Sequence, residues 1–256
     1  METFSEFEQQ SPVPQRNFSD ILSHAFNTYF KVIGWCMLGF VIYLIISTII
    51  SSVSETIAGY DSTEMAENMR ELGQSGGNID DMMNSVFRTP GLQLAIGFSS
   101  LAGILLAPFY TGIIYLMHKA NRGLATEFSD LFIGFRQNYV QYVVYALITS
   151  VALSLGLLLC GIGFFFVLPF FFTGIPMILF ENKNAVEALQ KSFETGKNNY
   201  GTLLGVGFIV SIIAVAGVML CFIGIVATFP FYYAAMYSTY IAFWGVPQLQ
   251  RSHRNM

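Results

Sequence analysis

The chain has 256 residues, of which 54% are hydrophobic and only 11% are charged, with a net charge of −4 and a mean hydropathy of +0.57. Soluble domains usually carry about a quarter charged residues, so the composition excludes an ordinary water-soluble fold. The charges cluster between long apolar runs, and nothing alternates in the ten-residue segments typical of a membrane β-barrel. The sequence therefore predicts an all-α, polytopic membrane protein.

The chain begins with a polar segment of 16 residues, residues 1–16, which we predict to be a disordered tail. From Asn17 onward apolar residues recur at helical spacing, and Asn17 with Asp20 makes a good N-terminal cap. This pattern predicts an amphipathic helix lying in the membrane interface, leading into a first span over about residues 32–52. The apolar run begins too late and is too long for a cleaved signal peptide.

Residues 54–90 are the one sizeable aqueous segment, with seven acidic residues against two arginines. Ser75 to Asn78 divides the segment, and a second amphipathic pattern follows with Asn78 as its cap. Two interpretations stay open: one or two short helices resting on the membrane surface, or a loosely ordered acidic loop.

Five more spans follow from the remaining apolar runs. The second span covers about residues 92–117, and a second interfacial helix begins at about Thr126. Val140 to Phe180 contains no Lys, Arg, Asp, Glu or His. A spanning helix needs about 20 apolar residues, so this run predicts two spans with a tight turn between them. A third interfacial helix begins at Asn184, and residues 202–245 hold spans five and six.

Three prolines mark an internal repeat. Pro108, Pro169 and Pro230 are spaced 61 residues apart, and each is followed by Phe and then another aromatic residue. Each lies in the second span of a pair, and each pair follows an amphipathic helix. Because proline removes a helical hydrogen bond, we predict three equivalent kinks that meet around a pseudo-threefold centre.

The repeat defines the predicted domain organisation, since periods of this size indicate repeated supersecondary units. One membrane domain occupies residues 17–256 and contains three copies of a unit in which an interfacial helix precedes two spans. The copies cover residues 17–117, 126–180 and 184–245, and the acidic segment 54–90 is an extracytoplasmic insertion into the first copy.

Lysine and arginine are distributed unequally between the loops. With six spans, ten of them lie on the side that carries both termini, and the other side has only Arg70 and Arg88. The positive-inside rule therefore predicts cytoplasmic termini in the cell (inner) membrane, with the acidic segment facing out.

No catalytic constellation is visible in the sequence. Asp, Glu, Lys and Arg are missing from the predicted spans, which counts against proton-coupled or ion-coupled transport. His24, His118 and His253 are scattered and too few for the clustered histidines of a membrane iron oxygenase. We predict no catalytic residue, metal site or cofactor.

Two features leave alternatives open. Cys160 and Cys221 occupy equivalent positions in the second and third copies, and they are either buried free thiols or, in an oxidising compartment, a disulfide. Tyr233, Tyr237 and Tyr240 lie along one face of span six. They either line a groove for a lipid or hydrophobic ligand or serve helix packing.

One stretch resembles a known group of proteins. The segment from Ile178 to Phe193, ILFENKNAVEALQKSF, is followed by two spans with Cys-x-x-Gly and Pro. It resembles the uncharacterised prokaryotic six-helix membrane proteins related to the membrane domain of glycerophosphodiester phosphodiesterases, best from about residue 128 to the end. The resemblance implies a membrane fold without catalytic activity, because the phosphodiesterase part with its metal ligands is missing here, and it supplies no functional residue.

The leading functional hypothesis is a non-enzymatic membrane protein: a scaffold, a partner subunit, or a lipid-associated module whose interfacial helices organise the inner leaflet. Its expected partners are membrane lipids and other membrane proteins, with no nucleic acid. The alternatives are a carrier or channel for an apolar or uncharged solute, and a lipid-modifying membrane enzyme. A continuous cavity between spans two, four and six favours transport, whereas a packed centre favours a scaffold.

Overall fold

The structure is a computed structural model, and it describes residues 12–76, 78–89, 91–158, 162–219 and 221–247. All regular elements in these ranges are helical. Five helical stretches are long and apolar enough to cross a bilayer, which is the pattern of a multi-pass membrane protein. They are Phe18–Ala58, Leu92–Asn121, Tyr139–Gly156, Gly163–Glu181 and Tyr200–Met219.

The chain divides into two compact units. One contains the residues up to Val41 and from Ala107 onward, and the other contains Ile42–Leu106. One membrane domain over residues 17–256 stays a prediction. The helices within the described residues are α1 Phe18–Ala58, α2 Ser62–Gln74, α3 Ile79–Arg88, α4 Leu92–Leu105, α5 Pro108–Asn121, α6 Ile133–Arg136, α7 Tyr139–Leu158, α8 Ile162–Val167, α9 Gly174–Glu181, α10 Ala185–Asn198, α11 Tyr200–Met219, α12 Cys221–Thr228 and α13 Phe231–Trp244, with 3-10 turns at Phe128–Phe132 and Leu168–Phe171.

The unit Ile42–Leu106 contains the acidic segment, which forms the two short helices α2 and α3 rather than a loose loop. Helix α2 begins after Asp61, whose carboxylate accepts the backbone N–H groups of Thr63 and Glu64 at 2.8 and 3.4 Å. Helix α3 begins after Asn78, which forms a reciprocal capping box with Asp81. These caps satisfy N–H groups that a helix start leaves without partners.

The cap of α2 gives a pH-dependent prediction. The Thr63 hydroxyl and the two backbone N–H groups lower the pKa of Asp61, because they stabilise its carboxylate. A lowered folded-state pKa means that the stabilisation is complete at neutral pH and is lost as the pH falls through that folded pKa. Asp61→Asn keeps an oxygen acceptor of similar capping strength. We therefore expect acid to release the Thr63 and Glu64 amides in the native chain but not in the variant.

Hydrogen exchange of these two amides as a function of pH, corrected for intrinsic rates, measures the effect. An equal loss of protection in both chains on acidification would show that Asp61 is not the titrating group.

In the other unit, each of the three prolines lies at a boundary between helical segments. Helix α5 begins at Pro108, Pro169 lies in the 3-10 turn between α8 and α9, and Pro230 directly precedes α13. Proline is tolerated at a helix start because its missing N–H would have no helical partner there. The helices therefore stop and restart at these positions.

Side chains from neighbouring elements bind backbone groups beside two of these breaks. The Tyr29 hydroxyl donates to the Ala227 carbonyl at 2.6 Å, and the Tyr145 hydroxyl donates to the Phe171 carbonyl at 2.7 Å. The N–H of Thr173 donates to the Ser192 hydroxyl at 3.2 Å. Such bonds are needed because an apolar environment offers no water to satisfy open backbone groups.

At two of these breaks, neighbouring segments of the chain approach so closely that only glycine fits at the points of contact. A Cβ on Gly112 would lie 2.1 Å from the carbonyl oxygen of Leu131, and one on Gly134 would lie 2.2 Å from that of Pro108. A Cβ on Gly196 would lie 2.8 Å from the Pro169 carbonyl oxygen. Residues 128–136 thus pack on the first break and helix α10 packs on the second.

The third break is covered by aromatic residues of α1. The Phe26 ring lies 4.3 Å from that of Phe231, and the Tyr29 ring lies 5.7 Å from it, centroid to centroid.

The backbone of α1 leaves helical geometry at Val32 (φ −129°, ψ 16°), which is where we predicted the interfacial helix to meet the first span.

The second predicted interfacial helix differs from the expectation. Instead of one helix from about Thr126, the chain forms a 3-10 turn over Phe128–Phe132 and the short helix α6. Extended backbone at Gln137 and a positive φ at Asn138 end it. The third is regular: α10 begins after Asn184, whose side chain accepts the Glu187 N–H at 2.9 Å.

Candidate functional site

A cluster of buried polar side chains joins three elements of the unit that contains the chain ends. Helix α1 contributes His24, helix α5 contributes His118 and Asn121, and helix α13 contributes Tyr237 and Ser238. Each of these side chains is at most 8% exposed. Buried polar groups are costly unless they are hydrogen-bonded, so their partners decide what the cluster can do.

The five side chains form a continuous series of hydrogen bonds. His24 Nδ1 lies 2.9 Å from Ser238 Oγ, and His24 Nε2 lies 3.0 Å from Asn121 Oδ1. Asn121 Nδ2 donates to the Tyr237 hydroxyl at 3.2 Å, and that hydroxyl lies 3.3 Å from His118 Nδ1. The series connects residues that are up to 214 positions apart in the chain.

Residues 12–16, part of the tail predicted to be disordered, lie against this cluster. Asn121 Nδ2 also donates to the Pro12 carbonyl at 3.3 Å. Arg16 donates to the carbonyls of Ala242 and Phe243, both at 3.3 Å, at the end of α13. Cations commonly bind the open carbonyls of a helix end. We call residues 12–16 the N-terminal strap; residues 1–11 lie outside the described residues.

A charged group lies beside the cluster. The Tyr240 hydroxyl donates to Glu181 at 3.1 Å, and Glu181 forms an ion pair with Lys183. Burial is the largest influence on Lys183 and disfavours its charged form, but the hydrogen bond to Glu181 and the attraction of Glu181 and Glu187 together with the contact to Lys191 outweigh it, so the pKa of the lysine is raised. A second ion pair joins Lys119 and Asp130 at 2.8 Å.

The three tyrosines considered as a groove are buried. Tyr233, Tyr237 and Tyr240 are 6%, 0% and 3% exposed. Tyr233 stacks on Tyr110 with ring centroids 4.6 Å apart, and the other two use their hydroxyls in the bonds described above. The three residues pack between helices, and a groove for a lipid or hydrophobic ligand at this face stays a prediction.

Of the three cysteines, the described residues include the side chain of Cys36. Cys36 is a buried free thiol. Cys160 and the side chain of Cys221 lie outside the described residues. The two alternatives of free thiols or a disulfide therefore concern atoms that the structure does not describe. Among the residues that the structure describes, no three His, Cys, Asp or Glu side chains are grouped to hold a metal ion.

Part of the cluster has the geometry of a nucleophile, a base and an orienting group. Ser238 is bonded to one nitrogen of His24, and Asn121 is bonded to the other. Sequence reasoning missed this arrangement because the three residues lie far apart in the chain and each is unremarkable alone.

Comparison of the chain with protein-family models, with curated proteins and with solved structures finds no match. The resemblance to the membrane domain of glycerophosphodiester phosphodiesterases gains no support from these comparisons and stays a proposal.

Proposed function

We propose that the protein is a non-enzymatic, lipid-associated membrane module that serves as a scaffold or partner subunit. The packing of the proline breaks supports this most directly. Phe109, Phe172 and Phe231, which lie next to or near the prolines, are at most 1% exposed. The Phe172 ring contacts that of Tyr232 at 5.4 Å between centroids. Aromatic rings packed this closely favour a filled centre over a conduit.

The lipid association rests on helix α10, which has three distinct faces. Ala188, Ser192 and Thr195 are buried against the protein, while Val186 and Phe193 are about half exposed at 52% and 50%. A third face carries the exposed polar residues Glu187, Lys191 and Glu194. A helix with a protein face, an apolar face and a charged face fits the membrane interface.

We also propose six crossings in three repeated copies. The sixth crossing is α12 with α13, whose break at Pro230 leaves neither segment long enough to span alone. The contacts follow a cyclic order: the second copy packs on the break of the first, the third on that of the second, and α1 on that of the third. The protein lies in the cell inner membrane with both termini in the cytoplasm, in accord with the distribution of positive charge.

Reporter fusions test the crossings and the orientation. Fusions at Lys119, at Lys191 and after Pro247 should all report the cytoplasm, and a fusion at Glu71 should report the outer side. Fusions that place Lys119 and Lys191 on opposite sides of the membrane would contradict the six-span arrangement.

Native co-purification tests the scaffold function. The full chain is extracted with its surrounding lipids and analysed by mass spectrometry, beside a Val186→Gln/Phe193→Gln double variant. We expect specific lipids or membrane proteins to accompany the native chain and to be depleted in the variant, because the variant removes the apolar face of α10. A Glu187→Gln/Glu194→Gln variant changes the charged face instead and should retain them. Solute flux by the reconstituted chain above that of empty vesicles would favour the carrier hypothesis.

The Ser238–His24–Asn121 geometry favours a second candidate, a lipid-modifying enzyme. Ser238 Oγ would attack a lipid ester carbonyl while its proton passes to His24 Nδ1 and then to the leaving alkoxide oxygen. Water would then release the acyl group by the reverse route. A fluorophosphonate probe should label the native chain and a Ser211→Ala control but not Ser238→Ala. An unlabelled native chain counts against this candidate, as does the complete burial of Ser238.

A further inference from the structure

The hydrogen atoms of the buried cluster have one consistent arrangement when both histidines are neutral. The Pro12 carbonyl can only accept a hydrogen bond, so the Asn121 atom 3.3 Å from it is the amide nitrogen. Asn121 Oδ1 therefore faces His24 Nε2, which must carry the proton. His24 Nδ1 is left to accept from the Ser238 hydroxyl.

The same amide group fixes the direction of the next bond and favours one direction for the bond after it. Asn121 Nδ2 donates its second hydrogen to the Tyr237 oxygen. The hydrogen of the Tyr237 hydroxyl is then free to point at His118 Nδ1, 3.3 Å away. When the Tyr237 hydroxyl donates to Nδ1, the proton of a neutral His118 lies on Nε2, because a neutral imidazole has one donor and one acceptor nitrogen. This arrangement gives the Tyr237 hydrogen an acceptor.

This Nε2–H group of His118 is a buried donor at the end of the series. His118 has 0% exposure, and within the described residues Nε2 has no hydrogen-bond partner. The Phe180 and Tyr115 rings lie 4.8 and 6.4 Å from the imidazole, centroid to centroid. Native proteins seldom leave a buried N–H without an acceptor, since its desolvation is not compensated.

We propose that the Nε2–H of His118 binds a neutral oxygen acceptor from outside the chain, either an ester or glycerol oxygen of a membrane lipid or a buried water. A neutral acceptor fits because burying an anion beside aromatic rings and an uncharged imidazole is costly. Tyr115 and Phe180, whose rings lie beside the imidazole, are only partly buried, so a movement of either ring would admit an acceptor. The inference rests on side-chain geometry alone and does not depend on the proposed function or topology.

Nuclear magnetic resonance tests the proton arrangement and identifies the acceptor. The full chain with 15N-labelled histidine is placed in lipid nanodiscs, where His118→Phe assigns the signal and His253→Phe serves as the control that keeps it. We expect a neutral His118 protonated at Nε2. Magnetisation transfer to that proton from lipid glycerol or acyl hydrogens identifies a lipid, and transfer from water alone identifies a water. A His118 protonated at Nδ1 or at both nitrogens, or transfer from neither source, overturns the proposal.

Thermal unfolding gives an independent test. The variants Tyr237→Phe and Tyr237→Phe/His118→Phe both lack the bond between these two side chains, so they differ only at the two ring nitrogens of His118, and the unpaired Nδ1 of the single variant works against the expected result. If an acceptor is bound, the added His118→Phe change should lower the unfolding temperature by several degrees. If Nε2–H has no acceptor, replacing it with an apolar ring removes an uncompensated donor. An equal or higher unfolding temperature of the double variant therefore overturns the proposal.

Discussion

Replacing Gly112 with alanine should lower the free energy of unfolding by about 4 kcal/mol or more. The added Cβ would lie 2.1 Å from the carbonyl oxygen of Leu131 and 2.6 Å from its Cα. Both are backbone atoms, so no rotamer change can remove the overlap. Helix α5 and the 3-10 turn would have to separate, and the close packing on the Pro108 break would be lost.

Two other glycines in the same unit make a graded comparison. A Cβ on Gly39 would lie 2.7 Å from Leu131 Cδ2, the end of a side chain that can move, and a Cβ on Gly34 would meet nothing within 4 Å. We expect a loss of about 1–3 kcal/mol for Gly39→Ala and a neutral or slightly stabilising effect for Gly34→Ala. Denaturant unfolding followed by tryptophan fluorescence measures the series. A Gly112→Ala variant as stable as Gly34→Ala would refute the backbone contact.

Replacing Asn121 with alanine should cost about 3 kcal/mol. The substitution leaves the His24 Nε2–H without its acceptor, and it removes donors from the Tyr237 hydroxyl and the Pro12 carbonyl. All three partners lie in or against a buried cluster, where lost bonds are not replaced by water. The loss should therefore exceed that of an ordinary exposed hydrogen bond.

The same variant should release the N-terminal strap. Limited proteolysis should cleave Asn121→Ala within residues 12–16 faster than the native chain, since the Pro12 carbonyl has lost its donor. Asn27→Ala on the exposed face of α1 is the matched control and should leave both stability and cleavage unchanged. If Asn121→Ala and Asn27→Ala unfold alike, the hydrogen-bond series does not contribute to stability.

Hydropathy and local capping rules were sufficient to predict part of the helical structure. The all-α class and the starts of α3 and α10 after Asn78 and Asn184 follow from signals within a few residues. Hydropathy predicted six spans, and five stretches of the described residues are long and apolar enough to cross a bilayer. The helical interruption at Val32 also lies where the polarity pattern changes. Such signals are local, so a single sequence is enough to detect them.

The buried cluster could not be predicted because its geometry is set by tertiary contacts. His24, Asn121 and Ser238 give no common spacing, and their grouping depends on how α1, α5 and α13 meet. The order of the N-terminal strap has the same origin, since its partners are Asn121 and the end of α13. The short 3-10 turn before α6 was missed because close backbone contact at Gly112 and Gly134, rather than periodicity, sets its shape.

The contact between α1 and α13 has a consequence for biosynthesis. Phe26 and Tyr29 leave the ribosome early, yet the Phe231 ring that covers them is translated about 200 residues later. At typical elongation rates of about 5–20 residues per second, this delay is on the order of 10–40 s. During that interval the first membrane helix has its aromatic face uncovered. A chain terminated before α13 would keep that face permanently uncovered and would be a natural substrate for membrane quality control.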